Sequence, residues 1–233
     1  MANHKLLRLS AMLLFYGEVV LSFLTLVLHP GGGPTEKATF ANYAASSAWA
    51  AIHLGQFVGM MGIMAGLLVL FFALGEMSGT PRWLGFFGAV AAGMALVLYG
   101  VEQAVDGVAL KQAVDAWVSA GASEQAARFA SAQAIRWLEW GTSSYQLFML
   151  GLALVFLALV IVWTARVPRL IGSLMGVSGL AFLVAGWVFG TVGFAAVTGG
   201  VSMLAGYTFL FALTIWLLIV AWPRKEAVQA VPG

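Results

Sequence analysis

Apolar stretches long enough to cross a membrane recur six times along the chain, separated by polar or glycine-rich segments. The hydrocarbon core of a bilayer is roughly 30 Å thick, which about 20 apolar residues cover as a helix. We therefore predict transmembrane helices over about residues 8–28, 46–74, 82–105, 136–162, 170–192 and 203–222. The predicted fold is an all-α integral membrane bundle of six helices that forms a single domain over residues 1–233.

The most polar region, residues 106–135, lies between the third and fourth predicted spans. Its apolar residues recur at helical spacing on both sides of Gly121-Ala122-Ser123, which indicates two amphipathic helices joined by a turn. We expect an external helical hairpin and hypothesise that it acts as a lid. Residues 29–45, rich in glycine and proline at their start, are predicted to form a loop.

Basic residues indicate an orientation, because cytoplasmic loops of membrane proteins carry an excess of Lys and Arg. With both termini cytoplasmic, the inner set contains seven residues: Lys5, Arg8, Arg82, Arg166, Arg169, Arg224 and Lys225. The outer set then contains four: Lys37, Lys111, Arg128 and Arg136. This count predicts cytoplasmic termini and an external hairpin.

The composition indicates which partners the protein can have and excludes some kinds of site chemistry. Hydrophobic residues make up 62% of the chain and charged residues 9%, so the principal partner is the lipid bilayer. A net charge of +2 without a basic patch argues against nucleic acid as a partner. The absence of cysteine excludes disulfides, thiolate metal ligands and cysteine nucleophiles.

Polar side chains within the first four spans cluster toward the predicted outer side, where they are costly in lipid and normally face protein or a water-filled cavity. The candidate ligand- or proton-binding residues are Glu18, His53, Gln56, Glu102, Asp106, Arg136 and Glu139. We expect an outward-facing polar cavity among spans 1–4, with spans 5 and 6 mainly structural.

Each candidate also has a structural interpretation. Glu18, the deepest carboxylate, suits proton coupling because low dielectric favours its neutral form; the alternative is a structural bond to His53 or to the fourth span. Arg136 and Glu139 have the spacing of an ordinary i, i+3 ion pair. His29, beside a glycine-rich segment, is expected to be exposed.

Three classes of function fit these residues. The first is binding or transport of a small molecule or ion, with or without proton coupling. The second is a membrane metalloprotein or haem protein in which His53 serves with nearby carboxylates, Glu102 and Glu139 being candidate metal ligands. The third is a non-catalytic sensor or assembly factor. No motif specifies a reaction, so a role other than catalysis is favoured.

Two segments carry a family resemblance: NYAASSAWAAIHLGQF, leading into the second span, and YGVEQAVDGVALKQAVDAW, at the end of the third. With its six-span layout, the chain resembles small bacterial multi-pass membrane proteins classed as domains of unknown function. The resemblance implies a bacterial plasma membrane and transfers no catalytic or binding residue.

Overall fold

The computed structural model describes residues 2–222, which form helices and no strand. The α-helices are α1 (His4–Phe23), α2 (Glu36–Ala45), α3 (Trp49–Ala73), α4 (Gly79–Ala104), α5 (Lys111–Val118), α6 (Gln125–Thr164), α7 (Arg169–Val192) and α8 (Val197–Ala221). Six continuous helical segments are long and apolar enough to cross a membrane: His4–Leu28, Trp49–Ala73, Gly79–Val118, Gln125–Thr164, Arg169–Val192 and Val197–Ala221. The predicted six-helix membrane bundle is therefore confirmed.

Two of these segments are much longer than the spans predicted from hydropathy. Gly79–Val118 and Gln125–Thr164 each contain 40 residues. At 1.5 Å per residue each extends about 60 Å, twice the thickness of the hydrocarbon core. The predicted hairpin is thus made of the ends of two membrane helices, joined by a turn at residues 119–124.

A short helix occupies part of the segment that was predicted to be a loop. The Thr35 side chain accepts a hydrogen bond from the Ala38 N–H at 3.2 Å, and Glu36 adds a favourable negative charge in the first turn. Helix α2 then runs to Ala45, so the loop prediction for residues 29–45 is wrong over its second half.

Helix α2, helix α5 and residues 125–135 of α6 form a small unit at one end of the bundle, which we call the cap. Its buried apolar residues form a core separate from that of the bundle: Phe40, Tyr43, Trp49, Leu110, Val114 and Ala132. Trp49 is the first residue of α3, so the cap core begins where the membrane helices end.

Two π-helical segments interrupt the regular helices at the cap end. Leu24–Leu28 continues α1, and Val105–Leu110 joins α4 to α5. A π turn inserts an extra residue into the helix, which re-aims the side chains that follow, and such turns are frequent at functional sites.

Small residues bring the membrane helices close together. A Cβ atom added at Gly17 of α1 would lie 2.5 Å from the backbone oxygen of Gly59 on α3. Gly151 of α6 and Gly179 of α7 are equally close, since a Cβ on either would lie 2.7 Å from the other's backbone oxygen. These contacts match the small-residue interfaces by which helices associate in lipid.

The predicted inner basic residues lie at the end of the bundle opposite the cap, at the start of α1, the start of α4 and the α6–α7 connection: Lys5, Arg8, Arg82, Arg166 and Arg169. Arg8 donates to the backbone oxygen of Ala221 at 2.9 Å, and Arg166 donates to the backbone oxygen of Leu74. The remaining two members of the set, Arg224 and Lys225, lie outside the described residues.

Candidate functional site

A cavity of about 720 Å³ opens within the bundle near the cap. Five of the predicted site residues line it: Glu18, Gln56, Glu102, Asp106 and Glu139. The lining also includes α7 and α8, whose contributions include Phe189, Tyr207, Thr208 and Phe211. The expectation that the cavity lies among spans 1–4, with spans 5 and 6 mainly structural, is therefore wrong in part, because α8 also forms a wall.

Glu18 is buried at the deep end of this cavity. Its Oε1 accepts a hydrogen bond of 2.8 Å from Thr214 Oγ1 on α8, whereas the sequence suggested His53 or the fourth span as the partner. Its Oε2 is buried without a hydrogen-bond partner among the described residues. Glu18 therefore lines the cavity and has one carboxyl oxygen that no described residue satisfies.

Glu102 repeats this arrangement on another wall. Ser143 Oγ, on α6, donates to Glu102 Oε1 at 2.5 Å. Glu102 Oε2 is buried and, within residues 2–222, also lacks a partner. Gln56, by contrast, donates from Nε2 to Thr25 Oγ1 at 3.0 Å and so joins α3 to the first π segment.

The negative charge of Glu139 is balanced by Arg136, which lies one turn earlier on the same helix. Arg136 donates from one nitrogen to both carboxylate oxygens, at 2.7 and 2.6 Å, so the predicted i, i+3 ion pair is present. Arg136 also donates to the Tyr43 hydroxyl at 3.3 Å. Burial raises the pKa of Tyr43, so its phenol stays protonated near neutral pH.

His53 faces Asp106 beside the cavity. Its Nδ1–H donates to the backbone oxygen of Trp49 at 2.8 Å, which fixes the tautomer because a carbonyl oxygen only accepts. The opposite ring nitrogen, Nε2, lies 2.9 Å from Asp106 Oδ2. Asp106 Oδ1 is buried with no partner among the described residues.

His29 lies inward against His53, although its position beside a glycine-rich segment predicted exposure. The ring centroids of the two histidines are 5.3 Å apart, and the His29 ring also packs against those of Tyr43 and Trp49. Its Nδ1–H donates to the backbone oxygen of Pro30 at 3.0 Å. Burial lowers the pKa of His29, which favours the neutral imidazole.

The structure thus groups potential metal ligands differently from the sequence prediction. One ligand atom each from His29, His53 and Asp106 lie within 4.8 Å of one another. Of the three predicted metal ligands, His53, Glu102 and Glu139, only His53 belongs to this group. Glu102 is instead hydrogen-bonded to Ser143, and Glu139 to Arg136. We call His29, His53 and Asp106 the trio.

Comparison with protein-family models, with curated proteins and with solved structures found no match for this chain. The functional assignment therefore rests on the geometry of the cavity and of the trio.

Proposed function

We propose that this multi-pass membrane protein binds an amphipathic small molecule with a cationic head, such as a lipophilic amine, in the cavity beside the cap. The observation that carries the proposal is the pair of carboxylates, Glu18 and Glu102, each with one buried oxygen that has no partner among the described residues. Buried polar groups are normally paired, so two unpaired oxygens on residues that line one cavity support a ligand that donates to both.

The carboxyl groups of the cavity favour a cation, because a positive charge nearby stabilises the ionised form of a buried carboxyl group. Glu18, Glu102 and Asp106 all line it, and Arg136, the basic side chain nearest to Glu139, is already engaged by that carboxylate. A cationic head would supply charge-assisted hydrogen bonds, which are roughly twice as strong as neutral ones.

The shape of the cavity favours an amphipathic molecule. Its volume of about 720 Å³ lies within the range of small-molecule sites. Leu26 on the first π segment and Leu204 on α8 line the cavity and are also 76% and 62% exposed. Exposed leucines on membrane helices face acyl chains, which supports entry from the lipid between α1 and α8.

We further propose that the protein resides in a bacterial plasma membrane with the cap outside. The clustering of basic residues opposite the cap supports this orientation. Because the chain has no cysteine, single cysteines report the topology cleanly. On intact spheroplasts, a membrane-impermeant maleimide should label Ser123→Cys in the cap turn and spare Ser78→Cys between α3 and α4. The reverse pattern would contradict the orientation.

The ligand proposal is tested with a fluorescent lipophilic cation, rhodamine 6G, and with fluorescein as an anionic comparison. The EDTA-washed protein is placed in lipid nanodiscs, and empty nanodiscs correct for partition into lipid. Fluorescence polarisation should show saturable binding of the cation only. A hydrogen bond to a charged group contributes about 1.5–3 kcal/mol, so Glu18→Gln or Glu102→Gln should weaken binding by about 10–150-fold.

Glu124→Gln is the matched control, since Glu124 is exposed on the cap and pairs with Arg128. This variant should bind rhodamine 6G as the wild type does. Equal binding of fluorescein, or wild-type affinity in both cavity variants, would refute the proposal.

A further inference from the structure

We propose that the trio holds one first-row divalent transition-metal ion, with Zn²⁺ as the reference ion, and leaves an open coordination position toward the cavity. This site does not use Glu18 or Glu102, the two carboxylates that carry the cavity proposal, although His29 and Asp106 also line the cavity.

The two imidazoles are oriented as metal ligands are. In each ring Nδ1–H donates to a backbone carbonyl, Pro30 for His29 and Trp49 for His53. Ligating histidines almost always donate their second ring nitrogen in this way, which fixes the tautomer and directs the other nitrogen to the ion. This leaves Nε2 of each ring as the candidate ligand atom, and in His53 that atom already contacts Asp106 Oδ2 at 2.9 Å.

The carboxylate completes the set. His53 Nε2 lies 2.9 Å from Asp106 Oδ2, a hydrogen bond in which a proton occupies the place that a metal ion would take. A metal ion satisfies both atoms, and Asp106 Oδ1, buried and unpartnered within the described chain, offers further coordination capacity.

The spacing fits a single ion. Zinc binds nitrogen and oxygen ligands at about 2.0–2.2 Å, so two ligands in tetrahedral geometry lie roughly 3.3 Å apart. The ligand atoms of the trio are within 4.8 Å of one another, and only small side-chain movements are needed to close on an ion. Two histidines and one carboxylate also form a ligand set used for zinc and for non-haem iron.

The two π-helical segments and a close helix contact bring these three residues together. His29 directly follows the first π segment, and Asp106 lies within the second. Gly107 permits the approach of α3, because a Cβ there would lie 2.8 Å from the His53 Cβ. His29 and Asp106 line the cavity, so the remaining coordination position faces it.

The test uses the full-length protein, purified with a histidine-free affinity tag, stripped with EDTA and titrated with Zn²⁺ alone by calorimetry. One ion per chain should bind. His29→Ala, His53→Ala and Asp106→Asn should each lower the affinity by more than the 10–100-fold that loss of an outer-shell partner costs. His4→Ala is the matched control. His4 is the histidine of the chain that lies outside the trio, and it is exposed at the opposite end of the bundle.

Two further measurements separate ligation from folding. Asp106→Asn preserves side-chain shape, and its melting temperature in EDTA should equal that of the wild type while zinc no longer stabilises it. Co²⁺ in place of Zn²⁺ should give visible absorption bands that are lost in the same three variants.

Three results would overturn the proposal. In the first, the wild type takes up no zinc, and the contact is then a plain His53–Asp106 hydrogen bond. In the second, the trio variants bind zinc as tightly as His4→Ala does. In the third, the purified protein shows a Soret band, which would assign the histidines to haem. Because the rhodamine experiment is performed after EDTA washing, the two proposals fail independently.

Discussion

Arg136 offers a sharp test of the electrostatics beside the cavity. The side chains of Arg136 and Glu139 are 14% and 3% exposed, whereas those of the i, i+4 pair Arg128 and Glu124 are 54% and 63% exposed. Arg136→Gln would leave the buried Glu139 carboxylate without its cation. Arg128→Gln changes the same residue type on the same helix and leaves a carboxylate in water.

The expected losses of folding stability in these two variants differ several-fold. Breaking a buried ion pair by removing one partner costs about 3–5 kcal/mol, and an exposed pair contributes about 0–1 kcal/mol. At about 2–4 °C per kcal/mol for a chain of this size, Arg136→Gln should lower the melting temperature by about 6–20 °C. Arg128→Gln should lower it by less than about 4 °C.

Thermal unfolding in detergent, followed by tryptophan fluorescence, measures both variants. The double variant Arg136→Gln/Glu139→Gln distinguishes the lost charge from lost packing. With no charge left buried it should recover most of the stability, since replacing a whole buried pair is often nearly neutral. If Arg136→Gln is no worse than Arg128→Gln, or if the double variant is as unstable as the single, the reasoning is refuted.

Four more substitutions, of which Gly93→Ala is a control, test helix contacts and the trio. Gly17→Ala places a Cβ 2.5 Å from a backbone oxygen of α3 and should lower the free energy of unfolding by about 1–3 kcal/mol. Gly93→Ala, whose Cβ would have nothing within 4 Å, should leave the stability unchanged or raise it. Equal melting temperatures of the two variants would contradict this. Thr214→Val removes the donor to buried Glu18 and should cost about 1–3 kcal/mol in the same assay, and an unchanged melting temperature would argue against that bond. Gly107→Ala crowds the trio and should weaken zinc binding by about 10–100-fold in calorimetry, an unchanged affinity being the contrary result.

Within residues 2–222, hydropathy identified the six helices that could cross a membrane, because burial in lipid requires long apolar runs, but it located the helix ends poorly. Helices α4 and α6 continue beyond the apolar run, since amphipathic segments such as Lys111–Val118 prolong the same axis. Helix α2 was missed because its apolar signal is weak, although Thr35 and Glu36 provide an ordinary helix start.

The site was less predictable because helical periodicity describes one helix at a time. In a regular helix, spacings of seven and four residues put Glu18, Thr25 and His29 on one face of the first span. All three line the cavity, as this spacing predicts, but their partners come from other helices: Thr214 on α8, Gln56 on α3 and the His53 ring. The segment Leu24–Leu28 departs from the 3.6-residue repeat, and the proximity of α8 is a tertiary property that the spacing of polar residues does not encode.

Asp106 links the cap, the trio and the cavity. Its backbone oxygen accepts from Trp49 Nε1 at 3.2 Å, its Oδ2 faces His53, and its side chain also lines the cavity. A metal ion in the trio and a cationic head in the cavity would therefore place two positive charges near one carboxylate. Their mutual repulsion makes each occupant weaken the binding of the other, and thermodynamic linkage requires the same factor in both directions. The two proposed sites, although built from different ligands, would then respond to each other through one side chain.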